Sequence, residues 1–274
     1  MNDQAADLSQ MQRARGRAAV SLVLADGRAR LKDLHQSGSA KVFLPRMHDA
    51  APEVVFLNTA GGLTGGDRME FALRLGPGVR ATATTQTAER VYASARGRAG
   101  VTVAIEAGAG ASVDWLPQET ILFDRAGLDR TTRIDLAGDA ACLMAETLVL
   151  GRAAMREVVA DLDVTDRREV YRDGEPVLLE PLRIAREALD RRGAAAVLGG
   201  ARALATVALV APGAEDAEAR VRAALGDATE AAVSAWDGKC VVRALAGDGF
   251  PLRRLVARVI AAFRPGPLPR VWQI

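Results

Sequence analysis

Between Met69 and Leu150 the chain is a succession of short alternating runs cut by glycine turns, and this punctuation constrains the fold more than any other feature. Met69 to Leu75 is followed by Gly76-Pro77-Gly78, then Val79 to Gln86, Val91 to Ala95, the turn Arg96-Gly97, and Val101 to Glu106. Gly108-Ala109-Gly110 leads into Ser112 to Leu116. Beyond Pro117 come Thr120 to Phe123, a turn at Arg125 to Gly127, Arg130 to Leu136, the turn Gly138-Asp139, and Ala141 to Leu150. No amphipathic helix intervenes, so these runs predict an antiparallel or layered all-β body and argue against a βαβ fold. No fixed repeat length is visible, and a solenoid with a sequence signature is not established.

The flanks extend the same pattern. A polar lead runs to about Arg13 and reads as a mobile tail. Ala18 to Leu24 reads as a strand, Asp26-Gly27 as a turn and Arg28 to Gln36 as the returning strand of a hairpin. Lys41 to Leu44 and Val54 to Leu57 add two more strands. Glu157 to Asp166 and Arg168 to Leu179, around Asp173-Gly174, predict a further hairpin. Helices come late: Arg186 to Arg192 is rich in helix formers, and Glu215 to Leu225 places Ala217, Val221, Ala224 and Leu225 on one face. Leu252 to Phe263 repeats apolar residues at helical spacing until Pro265. Ala203 to Val210 is strand-like, and Ser234 to Leu245 turns at Asp237-Gly238. At 274 residues the chain reads as one domain, 1–274, with 1–13 as the tail.

Phe56 to Tyr92 holds the densest cluster of special backbone needs. An apolar run ending at Leu57 passes through Gly61, Gly62, Gly65 and Gly66 into Asp67. A phosphate cradle would end in Gly-Lys-Ser/Thr or carry G-x-G-x-x-G ahead of a helix. Here the loop ends in Gly66, Asp67 and Arg68, and the alternating Met69, Phe71, Leu73 and Leu75 begin a strand. The loop therefore reads as a structural corner that delivers one carboxylate.

Charge and composition narrow the function. The formal net charge is only +2 and the arginines are scattered, which does not indicate a nucleic-acid or anionic-membrane surface. Two cysteines, Cys142 and Cys240, lie far apart in apolar settings, so a disulfide framework is not expected and a reducing, cytoplasmic location is. Met1 to Gln12 does not resemble a signal peptide, and no apolar run reaches membrane-span length. The two histidines, His35 and His48, have no ligand-spaced partner and read as surface residues. Cys142 lacks a basic neighbour and reads as a core thiol. Thr84-Thr85-Gln86 reads as ordinary strand. Hydrolase, transferase and redox machinery are all missing from the sequence.

What stands out is a set of acids inside apolar strands: Glu146 in CLMAETLVLG, Glu180 in VLLEPL, Glu119 in WLPQETILF, and Asp67, with Glu70 and Glu89 nearby. Desolvating a charge costs several kcal/mol, so each acid taken singly predicts an arginine partner or an exposed strand face. Taken together they suggest a polar passage through an apolar body. Oxygen ligands without histidine or cysteine would hold a divalent ion weakly, which suits transit better than storage.

NTAGGLTGGDR at Asn58 to Arg68, TTQTAERVYAS at Thr84 to Ser94, WLPQETILF at Trp115 to Phe123, LGRAAMRE at Leu150 to Glu157, DGEPVLLEPLRI at Asp173 to Ile184, SAWDGKCVVRALA at Ser234 to Ala246 and LPRVW at Leu268 to Trp272 resemble, in order and over nearly the whole chain, the urease accessory protein UreD family, called UreH in some organisms. Two departures are visible: Glu89-Arg90 where the family often has a small residue and lysine, and Arg156 where it often has glycine. The resemblance implies a mainly β fold, a β-rich helicoid of stacked short strands with a small C-terminal helical portion. It implies a non-enzymatic maturation factor that binds apo-urease and, with UreF and UreG, forms the complex through which the GTPase UreG delivers nickel to the urease active site. No tightly bound cofactor is implied, only transient Ni2+. Asp67, Glu146 and Glu180 match the acidic lining of the tunnel proposed for the family as a nickel path. Arg254 and Arg258 on the last helix, with Val271 and Trp272 in the tail, are candidate contacts for UreF, with plain core packing as the alternative. A purely structural adaptor that recruits UreF and UreG without a metal path is the competing reading.

Overall fold

The computed structural model describes residues 13–46, 51–264 and 266–272. The expected N-terminal tail, apart from Arg13, and His48 lie outside the described residues. The chain winds as a β-solenoid of roughly four turns with a small C-terminal helix, as the strand-rich reading anticipates. Each full turn lays one strand in a first sheet, crosses a glycine corner and lays the next strand in a facing sheet. Thus β5 (Arg68–Leu75) leads to β6 (Arg80–Thr85), β8 (Ala99–Ala107) to β9 (Ser112–Trp115), and β11 (Ala126–Leu136) to β12 (Ala141–Leu150). Successive turns stack in parallel, β5 on β8 on β11 in one sheet and β6 on β9 on β12 in the other. Two short strands, β7 (Glu89–Val91) and β10 (Thr120–Leu122), pair in parallel and join the second sheet through β10 on the end of β12. Of the two arrangements allowed by the sequence, the layered one is adopted, because stacked turns pair in parallel without crossover helices.

Antiparallel hairpins complete the sheets. The first sheet is flanked by β1 (Arg15–Ala25) with β2 (Arg28–Gly38), and by β13 (Leu162–Arg172) with β14 (Glu175–Ala185). The second ends in β15 (Ala203–Val210), β17 (Lys239–Ala246) and β16 (Ala231–Trp236) on one side, and in β4 (Glu53–Asn58) and β3 (Ala40–Phe43) on the other. Asp26-Gly27, Asp173-Gly174 and Asp237-Gly238 each have both φ angles positive, from 44° to 88°, the backbone that two-residue turns need to match strand twist. The second hairpin starts later than its sequence suggests. Residues 151–160 form a loop containing a 3-10 turn at Ala153–Met155, and the arms are β13 and β14 instead of Glu157–Asp166 and Arg168–Leu179. The cause is Glu157, whose carboxylate is used to fix the loop: it accepts from the backbone N–H groups of Asp124 at 3.1 Å and Arg152 at 3.0 Å. The expected strand Val91–Ala95 is displaced to Glu89–Val91, and Ser94 turns the chain instead, donating through Oγ to Gly97 O at 2.7 Å.

Alternation places Met69, Leu73, Ile105, Leu128 and Ile134 of the first sheet against Val54, Phe56, Val113, Trp115 and Met144 of the second, all buried. Phe56 meets Phe71 at 5.1 Å and Trp115 at 6.2 Å between ring centroids. The outer face of the second sheet is covered in turn by the helices α2 (Glu218–Leu225) and α3 (Gly249–Phe263), which bury Leu252, Leu255, Val256, Val259, Ile260 and Phe263 against Leu143, Ala145, Ala205 and Val207. Strand β12 therefore has both faces covered, which explains its nearly unbroken apolar run. The Asp248 side chain caps α3 by accepting from Phe250 N at 3.1 Å. Arg186 to Arg192 yields only α1 (Arg186–Asp190), because the Gly-rich stretch that follows turns the chain instead of prolonging the helix. At the glycine corner, Gly65 packs so closely that a Cβ would lie 2.2 Å from Arg96 O, so only glycine fits there.

Candidate functional site: a charged seam between the sheets

The inward positions of β11, β12 and β13 follow the apolar alternation except at one level, where they are polar: Arg130 and Thr132, Glu146, and Asp166 and Arg168. All five are at most 7 % exposed. Pairing aligns Arg130 with Asp166 and Thr132 with Arg168 in the first sheet. Asp166 Oδ1 accepts from Arg130 Nε at 2.8 Å, and Oδ2 accepts from Arg130 at 2.6 Å and also from Arg168. Glu146 closes the cluster from the facing sheet. Its Oε1 accepts from Trp115 Nε1 at 2.9 Å and Thr132 Oγ1 at 2.7 Å, and its Oε2 lies 3.2 Å from Arg168 Nε and 3.0 Å from Arg130. The remaining guanidinium nitrogens donate to Thr120 Oγ1 at 3.0 Å and Thr206 Oγ1 at 2.9 Å.

Two cations thus face two anions with their donors and acceptors matched, the condition under which buried charges are tolerated. Burial opposes ionisation of Asp166, but Arg130 and Arg168 outweigh it and hold the carboxyl far below its usual range. Burial likewise opposes the Arg130 charge, and Asp166 and Glu146 more than restore it. The polar level continues to the edge of the sandwich. Thr206 pairs across β15 and β17 with Arg243, whose Nε donates to Glu180 Oε2 at 3.1 Å, and Glu180 in turn pairs across β13 and β14 with Arg168. A series of alternating charges therefore runs from the buried Arg130 to the Arg243–Glu180 pair, which is partly exposed at the edge of the sandwich.

At the opposite end the seam opens into a cavity of about 50 Å3 whose wall includes Thr85, Glu89, Gln118, Thr120, Arg130 and Glu146. A second cavity, also about 50 Å3, lies beyond Glu89 and is bounded by Asn58, Gly61, Gln86 and Arg90. Thr85, Phe71 and Glu89 belong to both walls. Asn58 Nδ2 donates to Glu89 at 3.2 Å, yet burial dominates and pushes this carboxyl up to about 7. Glu89 is thus an acid poised between its two protonation states, at the partition between the interior cavity and the outer one.

Besides Glu89 between the cavities and Glu70, exposed beside Arg17, the acids singled out in the sequence go to three environments. Glu146 sits at the centre of the seam and Glu180 at its far end. Asp67 stands apart, at the glycine corner: its two oxygens accept from Ala14 N and Thr64 N, both at 2.8 Å, and its charge reaches Glu89. Glu119 pairs with Arg253 at 2.9 Å. Among the described residues no three His, Cys, Asp or Glu side chains converge as a metal site. Cys142 is fully buried and its thiol is pushed up to about 12 by burial, an inert core group. Arg254 and Arg258 lie exposed on α3, whereas Trp272 is buried and donates through Nε1 to Leu116 O at 2.9 Å. Val271 O accepts from Gln118 Nε2 at 2.7 Å, so the tail is strapped to a wall of the inner cavity. Reading the sequence for isolated acids misses Arg130, Asp166 and Arg168. The signal that would find them is phase: each occupies the same alternating position as the apolar residues Leu128 and Ile134, or Val164 and Val170.

The architecture is that of a two-sheet β-solenoid with a helical cap on one sheet and a charged seam between the two. Residues 14–273 match the family described as UreD urease accessory protein. The chain is 58% identical to the urease accessory protein UreD of a Cereibacter sphaeroides strain over 96% of both chains. It is 51% identical to that of Dinoroseobacter shibae, over 96% of this chain and 94% of the relative, and 46% identical to that of Rhizobium leguminosarum bv. viciae, over 96% of each. The chain belongs to the urease accessory protein UreD family, and its role is accessory to urease maturation.

Proposed function

We propose that the chain is a non-enzymatic scaffold that binds apo-urease and, with UreF and UreG, supports delivery of nickel to the urease active site, with the ion crossing its interior. The observation that carries this reading is the continuity of polar groups from the outer cavity, through Glu89, to Glu146 and out to Glu180. Carboxylate and hydroxyl oxygens hold a divalent ion loosely enough to release it, and the ion is cargo here, not a resident cofactor. In this reading Glu146 and Glu180 serve the passage directly, and Asp67 adds negative charge near Glu89. The exposed Arg254 and Arg258 of α3, with the half-buried Val271 of the tail, form the UreF contact, whereas Trp272, expected in the same contact, is packed in the core and braces the tail. GTP hydrolysis belongs to UreG, in keeping with a glycine corner that ends in a carboxylate.

One observation favours a second reading, an adaptor without a metal path. Every Glu146 oxygen is already engaged by Arg130, Arg168, Trp115 or Thr132, and an entering ion must displace one of these partners. The two readings separate on Glu89→Gln, Glu146→Gln and Glu180→Ala, scored for folding, for assembly with UreF and UreG, and for the nickel content of urease matured by the complex. The passage reading expects assembly to persist while nickel loading falls severalfold. Full loading by folded, assembled variants would leave the adaptor. For the UreF contact, Arg254→Glu with Arg258→Glu is expected to weaken UreF capture, and unchanged capture rejects that assignment.

A further inference from the structure

Strand β9 ends at Trp115, and Pro117, which has no N–H to give, keeps the chain out of the ladder until β10 begins at Thr120. Side chains and the C-terminal segment fill the gap. Gln118 N donates to Thr85 Oγ1 at 2.9 Å, and the buried Gln118 side chain forms part of the inner cavity wall. The same amide is bonded at both ends to groups outside that cavity: Nε2 donates to Val271 O at 2.7 Å, and Oε1 accepts from Arg253 Nη1. Arg253 is shared further. It donates to Glu119 Oε2 at 2.9 Å and lies 5.0 Å from the centre of the Trp272 ring. One guanidinium thus joins α3, the tail and the wall of the cavity.

The tail meets this stretch at alternate positions: Arg264 at Asp114, Trp272 at Leu116 O and Val271 at Gln118. It is attached as a strap and not as a strand. Pro267 and Pro269 stiffen it and cannot donate to a sheet, and among the described residues no backbone-to-backbone hydrogen bond joins 266–272 to either sheet. Its first fastening is poorly made, since Arg264 Nε lies 3.0 Å from Asp114 Oδ2 without an aligned acceptor for its N–H. A segment held by a few side-chain contacts opens at lower free energy than the strands beneath it. Gln118 follows the strap, because its amide has partners in Val271 and Arg253 only while the strap and α3 are seated against it.

We propose that Gln118 is a gate on the inner cavity, latched by Arg253 and the C-terminal strap, and that release of the strap opens an entrance to the buried polar groups on the α3 side. No strand leaves its sheet when the gate moves, because residues 116–119 lie between β9 and β10. The inference goes beyond the passage proposed above and does not depend on nickel, since an open gate admits any small solute. The test uses the full chain carrying Val103→Cys, which puts a thiol in the cavity wall without replacing any of its polar groups, and iodoacetamide as the probe. Cys142, fully buried, reports global unfolding in the same sample. Arg253→Met, which removes the latch, and Gln118→Ala, which removes the gate, are each expected to speed alkylation of the Val103→Cys thiol about tenfold or more, with Cys142 at its unchanged rate. In the chain without either second substitution, alkylation of that thiol is expected to depend on urea more weakly than that of Cys142, the mark of a local opening. Equal urea dependence overturns the gate, and that measurement needs no further variant to fold. Unchanged alkylation in the folded variants also overturns it and puts the entrance on the Glu89 side. A rise matched by Cys142 overturns it in favour of general unfolding.

Discussion

Asp166 is the anion on which both buried guanidinia of the seam depend. Replacing it with alanine leaves Arg130 and Arg168 facing each other with only Glu146 between them, and removing one partner of a buried pair typically costs about 3–5 kcal/mol. Asp166→Ala is therefore expected to lower the urea midpoint sharply. Its depressed ionisation also fixes a sign with pH: the stability it contributes is fully present above the ordinary aspartate range and is lost only as the solution becomes acidic enough to protonate the folded carboxyl. Glu89 behaves oppositely. Between 4.5, its ordinary value, and about 7, the folded chain keeps a proton that the unfolded chain has released, so stability falls as pH rises across that window. Glu89→Gln is expected to remove this slope, a gain relative to wild type of about 3 kcal/mol at pH 8 that vanishes at pH 4, read from urea titrations at the two pH values. Glu146, Glu180 and Glu89 were legible in the sequence because charges stand out in apolar strands, whereas Asp166 was not. Their partners were not, because Arg130 and Arg168 sit among other arginines and only the pairing of distant strands brings them to one level.

At the scale of elements, the C-terminal strap is the clearest case of a segment whose composition forecasts its placement. The apolar LPRVW tail reads as packed or docked, and Trp272 is packed, with Arg253 stacked 5.0 Å from its ring. Trp272→Ala is expected to destabilise the chain by about 3 kcal/mol, measured by thermal or chemical unfolding, through loss of a buried aromatic and of its bond to Leu116 O. Because Gln118 joins this tail to the wall of the inner cavity, the same variant should loosen the Leu116–Glu119 segment, visible as faster amide exchange there. The turns of the three Asp-Gly hairpins were legible to the residue, since that dipeptide accepts two positive φ angles. The loop 151–160 was not, because its shape depends on Glu157 reaching Asp124 from a neighbouring turn of the solenoid, a contact that local periodicity does not encode.

At the scale of the molecule, a solenoid leaves strand edges that a closed barrel would not. Strand β2 is one such edge, exposed along nearly its whole length, with Leu31 and Leu34 at 49% and 41% exposure. Leu31→Lys with Leu34→Lys is expected to reduce concentration-dependent self-association in light scattering without lowering the melting temperature. Parallel stacking itself was not legible: alternation looks the same whether neighbours run parallel or antiparallel, and the turns differ too much in length to show a repeat. That stacking gives the charged seam a role in assembly. Turns of a solenoid are near-equivalent, and a chain that slipped by one turn while folding would still bury leucine against valine almost anywhere along the stack. It would not bury Arg130 against Asp166, and two unmatched guanidinia in the interior would make the slipped stack far costlier than the native one. The seam thus acts as a proofreading mark for strand order, written in charge where hydrophobicity alone is ambiguous.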